Sequence, residues 1–94
     1  MNDARDAIFK ALGDSTRRII LDELSDRNGQ TLYELTVRLI SNYELSITRQ
    51  GIAKHLAILE EAALVKSEKK GKYRVLMFDK EPLKHLMRGW LGDQ

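Results

Sequence analysis

The residues of this chain best equipped for chemistry lie between Thr48 and Phe78, in the run TRQGIAKHLAILEEAALVKSEKKGKYRVLMF. Thr48, Arg49 and Gln50 lead a helical pattern in which Ile52, Leu56 and Leu59 project to one side and Gln50, Lys54 and Ala57 to the other. An arginine fork can pair with guanine O6 and N7, and a glutamine amide with adenine N6 and N7. A lysine one turn later suits a base or a phosphate. Behind this helix come Lys66, Lys69, Lys70, Lys72 and Arg74, five cations in nine positions with only Glu68 opposing them. A ribbon carrying such residues can flank a groove and neutralise phosphates.

Each half has a bland counterpart. Any helix on a protein surface has a polar outer face, and lysines commonly protect a strand edge. Charge distribution favours the binding reading. Residues 1–45 carry 6 basic and 8 acidic side chains, residues 46–78 carry 7 and 3, and residues 79–94 carry 3 and 3. The positive balance therefore sits in the suspected reading unit, although the whole chain has a net charge of only +2.

The elements that must position these residues are legible from periodicity and punctuation. Ala4, Ala7, Ile8, Ala11 and Leu12 recur at helical spacing up to Gly13. Asp14 is placed to cap a second helix with Ile19, Ile20, Leu21 and Leu24 on its apolar side, and Asn28-Gly29 ends it. Thr31 and Glu34 have the spacing of a capping box for a third helix that buries Leu32, Leu35 and Leu39. Residues 41–47 break the pattern as a turn, and Thr48 caps the fourth helix, 49–62. Two strand-like segments, 64–69 and 72–78, flank Lys70-Gly71, a hairpin signal. Pro82 suits the first turn of a last helix, with Leu83, Leu86, Met87, Trp90 and Leu91 at i, i+3, i+4, i+7 and i+8. The expected fold is mostly α with a small antiparallel β-hairpin: helix, helix, helix, helix, strand, strand, helix, a winged helix-turn-helix with a wing over 66–74.

Ninety-four residues make one expected domain, 1–94. So short a chain buries only about 60–65% of its unfolded surface, and its last helix has a broad apolar stripe. Both points favour a homodimer through the terminal helices, about 3–12 and 81–91, with Ile8, Phe9, Leu12, Leu83, Leu86, Met87, Trp90 and Leu91 as interface candidates. The plainer alternative is that this stripe belongs to the chain's own core. There is no cysteine, which excludes disulfides and thiol chemistry and fits a cytoplasmic protein. No apolar run approaches the about 18 residues that span a bilayer, and the N-terminus is mixed-charge rather than signal-like. No membrane association is expected.

His55 and His85 are the only imidazoles, and neither has a cysteine or another histidine three or four positions away. No metal and no cofactor is expected. His55 sits at the edge of the buried stripe, where it either packs or faces a phosphate. Asp22-Glu23 and Glu60-Glu61 are adjacent carboxylates whose helical directions diverge, so both are read as solvated surface. No constellation supports an enzyme.

With these residues in view, the chain resembles the ArsR-type winged-helix transcriptional regulators over nearly its whole length. FKALGDSTRRIILDEL (Phe9 to Leu24) resembles the family pattern F-x-A-L-x-D-x-T-R-R-x-I-L-x-x-L. RQGIAKHLAILEEAALV (Arg49 to Val65) resembles R-x-x-V-S-K-H-L-x-x-L-x-x-A-G-L-V. DKEPLKHLMRGWL (Asp79 to Leu91) is similar to the D-x-E-P-L…W-L ending of a subgroup. The resemblance implies a homodimer built on the first and last helices that binds a pseudo-palindromic double-stranded DNA operator, usually as a repressor. It places Thr48, Arg49, Gln50, Lys54 and His55 in the recognition helix and Lys69, Lys70, Lys72 and Arg74 in the wing. Three departures matter, the first being that the turn before Thr48 is longer than the short form common in the family. The metal-sensing branches use a cysteine pair in the third helix or Asp and His ligands in the last, where this chain has Leu32-Tyr33-Glu34-Leu35 and Leu83-Lys84-His85-Leu86. Ala63 stands where the family usually has glycine, which predicts either a positive φ there or a differently built helix end. The rival reading is a winged-helix protein–protein interaction module without specific DNA binding.

Overall fold

The computed structural model describes residues 4–92. Seven elements follow in the expected order: α1 (Ala4–Leu12), α2 (Ser15–Asp26), α3 (Leu32–Tyr43), α4 (Arg49–Glu61), β1 (Val65–Lys70), β2 (Tyr73–Phe78) and α5 (Glu81–Leu91). The expected domain limits at 1 and 94, and the start of the first helix near residue 3, lie outside the described residues.

The helices α2 to α5 each start where a side chain satisfies an orphan amide. Asp14 Oδ2 accepts the Arg17 N–H at 3.1 Å. Thr31 and Glu34 close a reciprocal box, with Thr31 Oγ1 accepting from Glu34 N–H at 3.1 Å and Glu34 Oε1 from Thr31 N–H at 2.9 Å. Thr48 Oγ1 accepts from Gly51 N–H at 3.0 Å. Ahead of α5, Asp79 Oδ1 accepts the Glu81 N–H at 3.0 Å. Because backbone N–H groups bind the charged form, Asp14, Glu34 and Asp79 are all held below the ordinary carboxylate range. Depressed folded-state values contribute stability that is fully present above the ordinary range, about pH 4, and lost as pH falls through the folded values. The thermal midpoint should therefore fall on acidification below that range. Asp14→Asn, which keeps the cap oxygen but not the charge, should flatten that fall in melts followed by circular dichroism. An unchanged slope would remove Asp14 from this account.

The expected turn over 41–47 is corrected at its start. Ser41, Asn42 and Tyr43 complete the last turn of α3, and the connection is residues 44–48. Tyr43 packs against the core and keeps this polar stretch helical; the same burial raises its phenol pKa. Glu44 then ends the helix in the left-handed region, φ 55°, donating its N–H to Leu39 O.

At the far end of α4, Ala63 has φ 60°, the first of the two outcomes expected from the missing glycine. Its N–H donates to Glu60 O at 2.9 Å, and Leu64 N–H donates to Leu59 O at 3.0 Å. This is the two-bond Schellman closure, and Leu59 and Leu64 are both fully buried beside it. The fold tolerates the strained alanine because that closure fixes the chain into β1. Ala63→Gly should therefore stabilise the protein by about 0.5 kcal/mol, the left-handed penalty being partly offset by glycine's looser unfolded chain. Urea denaturation would measure it, and destabilisation would contradict the strain assignment.

The core is one cluster centred on Ile20, Leu24, Leu35, Leu39, Ile52, Leu59, Leu64 and Val65. Leu32 is only half-buried; Thr36 takes the interior place instead, its hydroxyl donating to Leu32 O at 2.7 Å. Glu23 corrects the surface expectation. It is buried, and it accepts from Gln30 Nε2 at 2.7 Å with Arg38 Nε 3.9 Å away. A buried carboxylate needs such partners.

The hairpin pairs Val65 with Phe78 through Lys70 with Tyr73. Its turn is Gly71-Lys72, one residue later than expected, and only Gly71 has positive φ, 62°. That is the type II′ pattern, with glycine at the first central position. The segment 28–30 adds to the other edge of β2: Leu76 N–H donates to Gln30 O at 2.7 Å, Gly29 N–H to Leu76 O at 3.0 Å, and Phe78 N–H to Asn28 Oδ1 at 2.8 Å. The wing's base is thus fastened to the end of α2.

Candidate nucleic-acid interface

Ile52, Leu56 and Leu59 are buried, which fixes the rotation of α4 about its axis. The opposite surface then carries Thr48, Arg49, Gln50, Ala53, Lys54 and Ala57, all exposed. The Thr48 oxygen is engaged at the cap, while Arg49 and Gln50 stand on the first turn beyond it. Gly51 permits this entry angle: a Cβ there would lie 3.2 Å from Ile47 Cγ1. Ile47 packs against the core, so the connection can press closely on the first turn of α4 only where no side chain intervenes.

Strand alternation sorts the wing. Val65, Ser67 and Lys69 share a face with Phe78, Leu76 and Arg74. That face is buried at Val65 and Leu76 and becomes exposed at Lys69 and Arg74. Lys69 and Arg74 are directly opposed across the strands. Like charges so placed disfavour the hairpin, a repulsion that an anion between them would relieve. Arg74 also reaches a groove bordered by Ala53, Leu56 and Glu60 of α4. A second groove brings together Thr31, Tyr33 and Glu34 at the start of α3, Arg49 at the start of α4, and Lys72, Tyr73 and Arg74 on the wing. Three cations from two elements thus line one concavity. Lys72 Nζ lies 5.8 Å from the Tyr73 ring centroid. Lys66 is tied instead to Asp79, 3.0 Å away at the wing's base.

Tyr33 and Tyr73 are exposed partners in this groove that sequence reasoning did not single out. Their positions mark them only once α3 and the wing are seen to converge.

His55 is placed differently from its neighbours. It is half-buried and turned toward the N-terminus of α2, with Nδ1 3.2 Å from Arg17 Nη1 and 3.8 Å from Asp14 Oδ2. It does not join the exposed row of Arg49, Gln50 and Lys54, because the rotation set by Ile52, Leu56 and Leu59 points it back into the protein.

The terminal helices also divide their candidates. Ile8 and Leu86 lie in the chain's own core, and Leu12 and Leu83 are half-buried against it. These four interface candidates are thus engaged at least partly within the chain, because α1 and α5 pack on each other. Phe9, Met87, Trp90 and Leu91 remain exposed, at 45%, 45%, 60% and 62%. The Phe9 and Trp90 rings stack with centroids 5.8 Å apart and planes inclined by 17°. A continuous apolar face results. Beside it, Phe78, Leu83, Met87 and Leu91 line a shallow groove edged by Lys80, Lys84 and Arg88.

Among the described residues no cluster of three or more His, Asp or Glu side chains is arranged to hold a metal ion, and no helix is long and apolar enough to cross a membrane.

No protein-family model matches the chain. Individual proteins do. The chain is 71% identical over 91 residues to YuzN of Bacillus subtilis strain 168, described as an uncharacterized HTH-type transcriptional regulator, covering 97% of this chain and 99% of that protein. An ArsR-like transcriptional regulator from Rhodococcus sp. RHA1 superposes with a TM-score of 0.78 at 35% identity, covering 92% of this chain and 72% of that one. The chain belongs to the ArsR family. A second solved ArsR-family transcriptional regulator matches with a TM-score of 0.73 at 31% identity, covering 94% of this chain and 82% of that one. As an ArsR-family HTH regulator the protein acts in DNA-binding transcription regulation and not as an enzyme. The five helices and two-stranded hairpin have the winged helix-turn-helix architecture of these structures.

Proposed function

We propose that this ArsR-family protein is a cytoplasmic, sequence-specific repressor that binds a pseudo-palindromic operator as a homodimer. Arg49 and Gln50 read base edges, Lys54 meets a base or a phosphate, Thr48 holds the first turn of α4 in place, and Lys69, Lys70, Lys72 and Arg74 neutralise phosphates. His55 supports the reading helix from behind. The exposed face of Phe9, Met87, Trp90 and Leu91 joins two copies. Repression is what the family resemblance favours.

One observation carries this reading: the first turn of α4 and the cationic wing open into the same groove, so one DNA backbone can meet both. The paired cations Lys69 and Arg74 support it further. A salt titration on mixed DNA fragments tests it. Binding should weaken steeply as salt rises, because each neutralised phosphate releases condensed counterion. Absence of binding at low salt would favour the interaction-module reading instead. Lys70→Ala should weaken all duplexes alike and reduce the slope of log K against log salt by about 1. An unaltered slope would take Lys70 off the DNA.

A further inference from the structure

We propose that Arg17 is a positioning residue that locks the reading helix α4 to the end of α1, and so sets the reading face relative to the dimer face. This rests on the DNA-reading function proposed above. Arg17 lies in the first turn of α2 and touches neither the outward surface of α4 nor the wing. Its guanidinium uses all three nitrogens. Nε donates to Ala11 O at 2.9 Å and Nη2 to Lys10 O at 2.9 Å, both carbonyls belonging to the C-terminal turn of α1. Nη1 lies 3.2 Å from His55 Nδ1 on α4.

The chemistry of this contact is constrained. A guanidinium is planar, always charged and donor-only. A hydrogen bond between the two therefore needs His55 Nδ1 as the acceptor, with the ring N–H at Nε2. Asp14 Oδ2, at 3.8 Å from the same nitrogen, is beyond hydrogen-bond reach. Asp14 itself is held by the Arg17 backbone N–H at 3.1 Å, so its negative charge stays beside the guanidinium. The planar fork fixes the α1 carbonyls and the His55 ring in one geometry.

The consequence concerns aim. Ile52, Leu56 and Leu59 hold α4 by apolar packing, which is non-directional. The contact from Arg17 to His55 is directional, one residue beyond Lys54. It joins α4 to the helix that carries Phe9. In a two-fold dimer any change of α4 relative to α1 is doubled, and two reading helices must fall about 34–36 Å apart to enter successive major grooves. Arg17 should accordingly matter for a two-half-site duplex far more than for unspecific contact with phosphates.

The test uses the full-length protein and two probes: a duplex that the wild type enriches from a random-sequence library, and a mixed-sequence fragment. Arg17→Gln and His55→Leu should each lower affinity for the enriched duplex about tenfold while changing mixed-sequence binding by less than about twofold. His55→Asn puts an acceptor oxygen close to where Nδ1 stands, and should retain wild-type affinity for both. Nitrogen NMR of the His55 ring should show the Nε2–H tautomer in the wild type and a mixture of tautomers in Arg17→Gln. The proposal is overturned if both weakening variants bind the enriched duplex as the wild type does. It is overturned equally if they weaken both probes alike, or if His55→Asn fails as His55→Leu does. A wild type that enriches no duplex would overturn the DNA-reading function and this role with it. Enrichment together with insensitive variants would overturn this role alone.

Discussion

Met87→Glu combined with Trp90→Glu is expected to leave a folded monomer whose affinity for a two-half-site operator is lower by about a hundredfold or more. Both side chains are about half exposed or more in the isolated chain. Their loss removes little of the core. The stacked contact of Trp90 with Phe9 is worth about 0.5–1.5 kcal/mol. In the dimer the same positions would bury carboxylates, at a cost of several kcal/mol for each ion that no cation reaches. The linked second half-site would then contribute nothing, because each monomer would bind alone. Sedimentation velocity would report the assembly and titration with operator DNA the affinity. Leu86→Ala is the informative contrast. Leu86 lies in the core, so its truncation should destabilise the chain itself by about 2–5 kcal/mol. A double variant that remained dimeric would place the interface elsewhere.

Arg49→Ala is expected to weaken operator binding by about 1–3 kcal/mol and to relax preference at one base position. Arg49 is exposed at the start of α4 and lines the groove shared with the wing. Its loss should leave folding stability within about 0.5 kcal/mol, as for other surface changes. The two effects are separable by comparing operator and mixed-sequence affinities: Arg49→Ala should narrow their ratio, whereas Lys70→Ala should not. Unchanged operator affinity in Arg49→Ala would mean that another face of α4 meets the DNA.

Several parts of this molecule are legible in its sequence because they are local. Asp14, Thr31 and Thr48 cap helices through amides three positions away. Ile52, Leu56 and Leu59 mark the inner face of α4 by spacing alone. Ala63 adopts the backbone that the family's glycine would occupy. What escapes the sequence depends on partners distant in the chain. Glu23 is buried because Gln30 and Arg38 reach it. The segment 28–30 becomes a strand edge only through Leu76 and Phe78, nearly fifty residues on. His55 turns inward to an arginine 38 positions earlier. Ile8 and Leu86 show the limit of an amphipathic stripe, which looks the same whether it faces its own chain or a second copy. Tyr33 and Tyr73 enter the candidate site only because α3 and the wing converge.

The most direct test of the central claim is enrichment of random-sequence duplexes by the purified protein, followed by sequencing. Two inverted half-sites with centres about 10–10.5 base pairs apart, one helical turn, are the predicted outcome. A library recovered without any enriched sequence, or a single half-site with no inverted mate, would contradict the account of a dimer that reads DNA through two copies of α4.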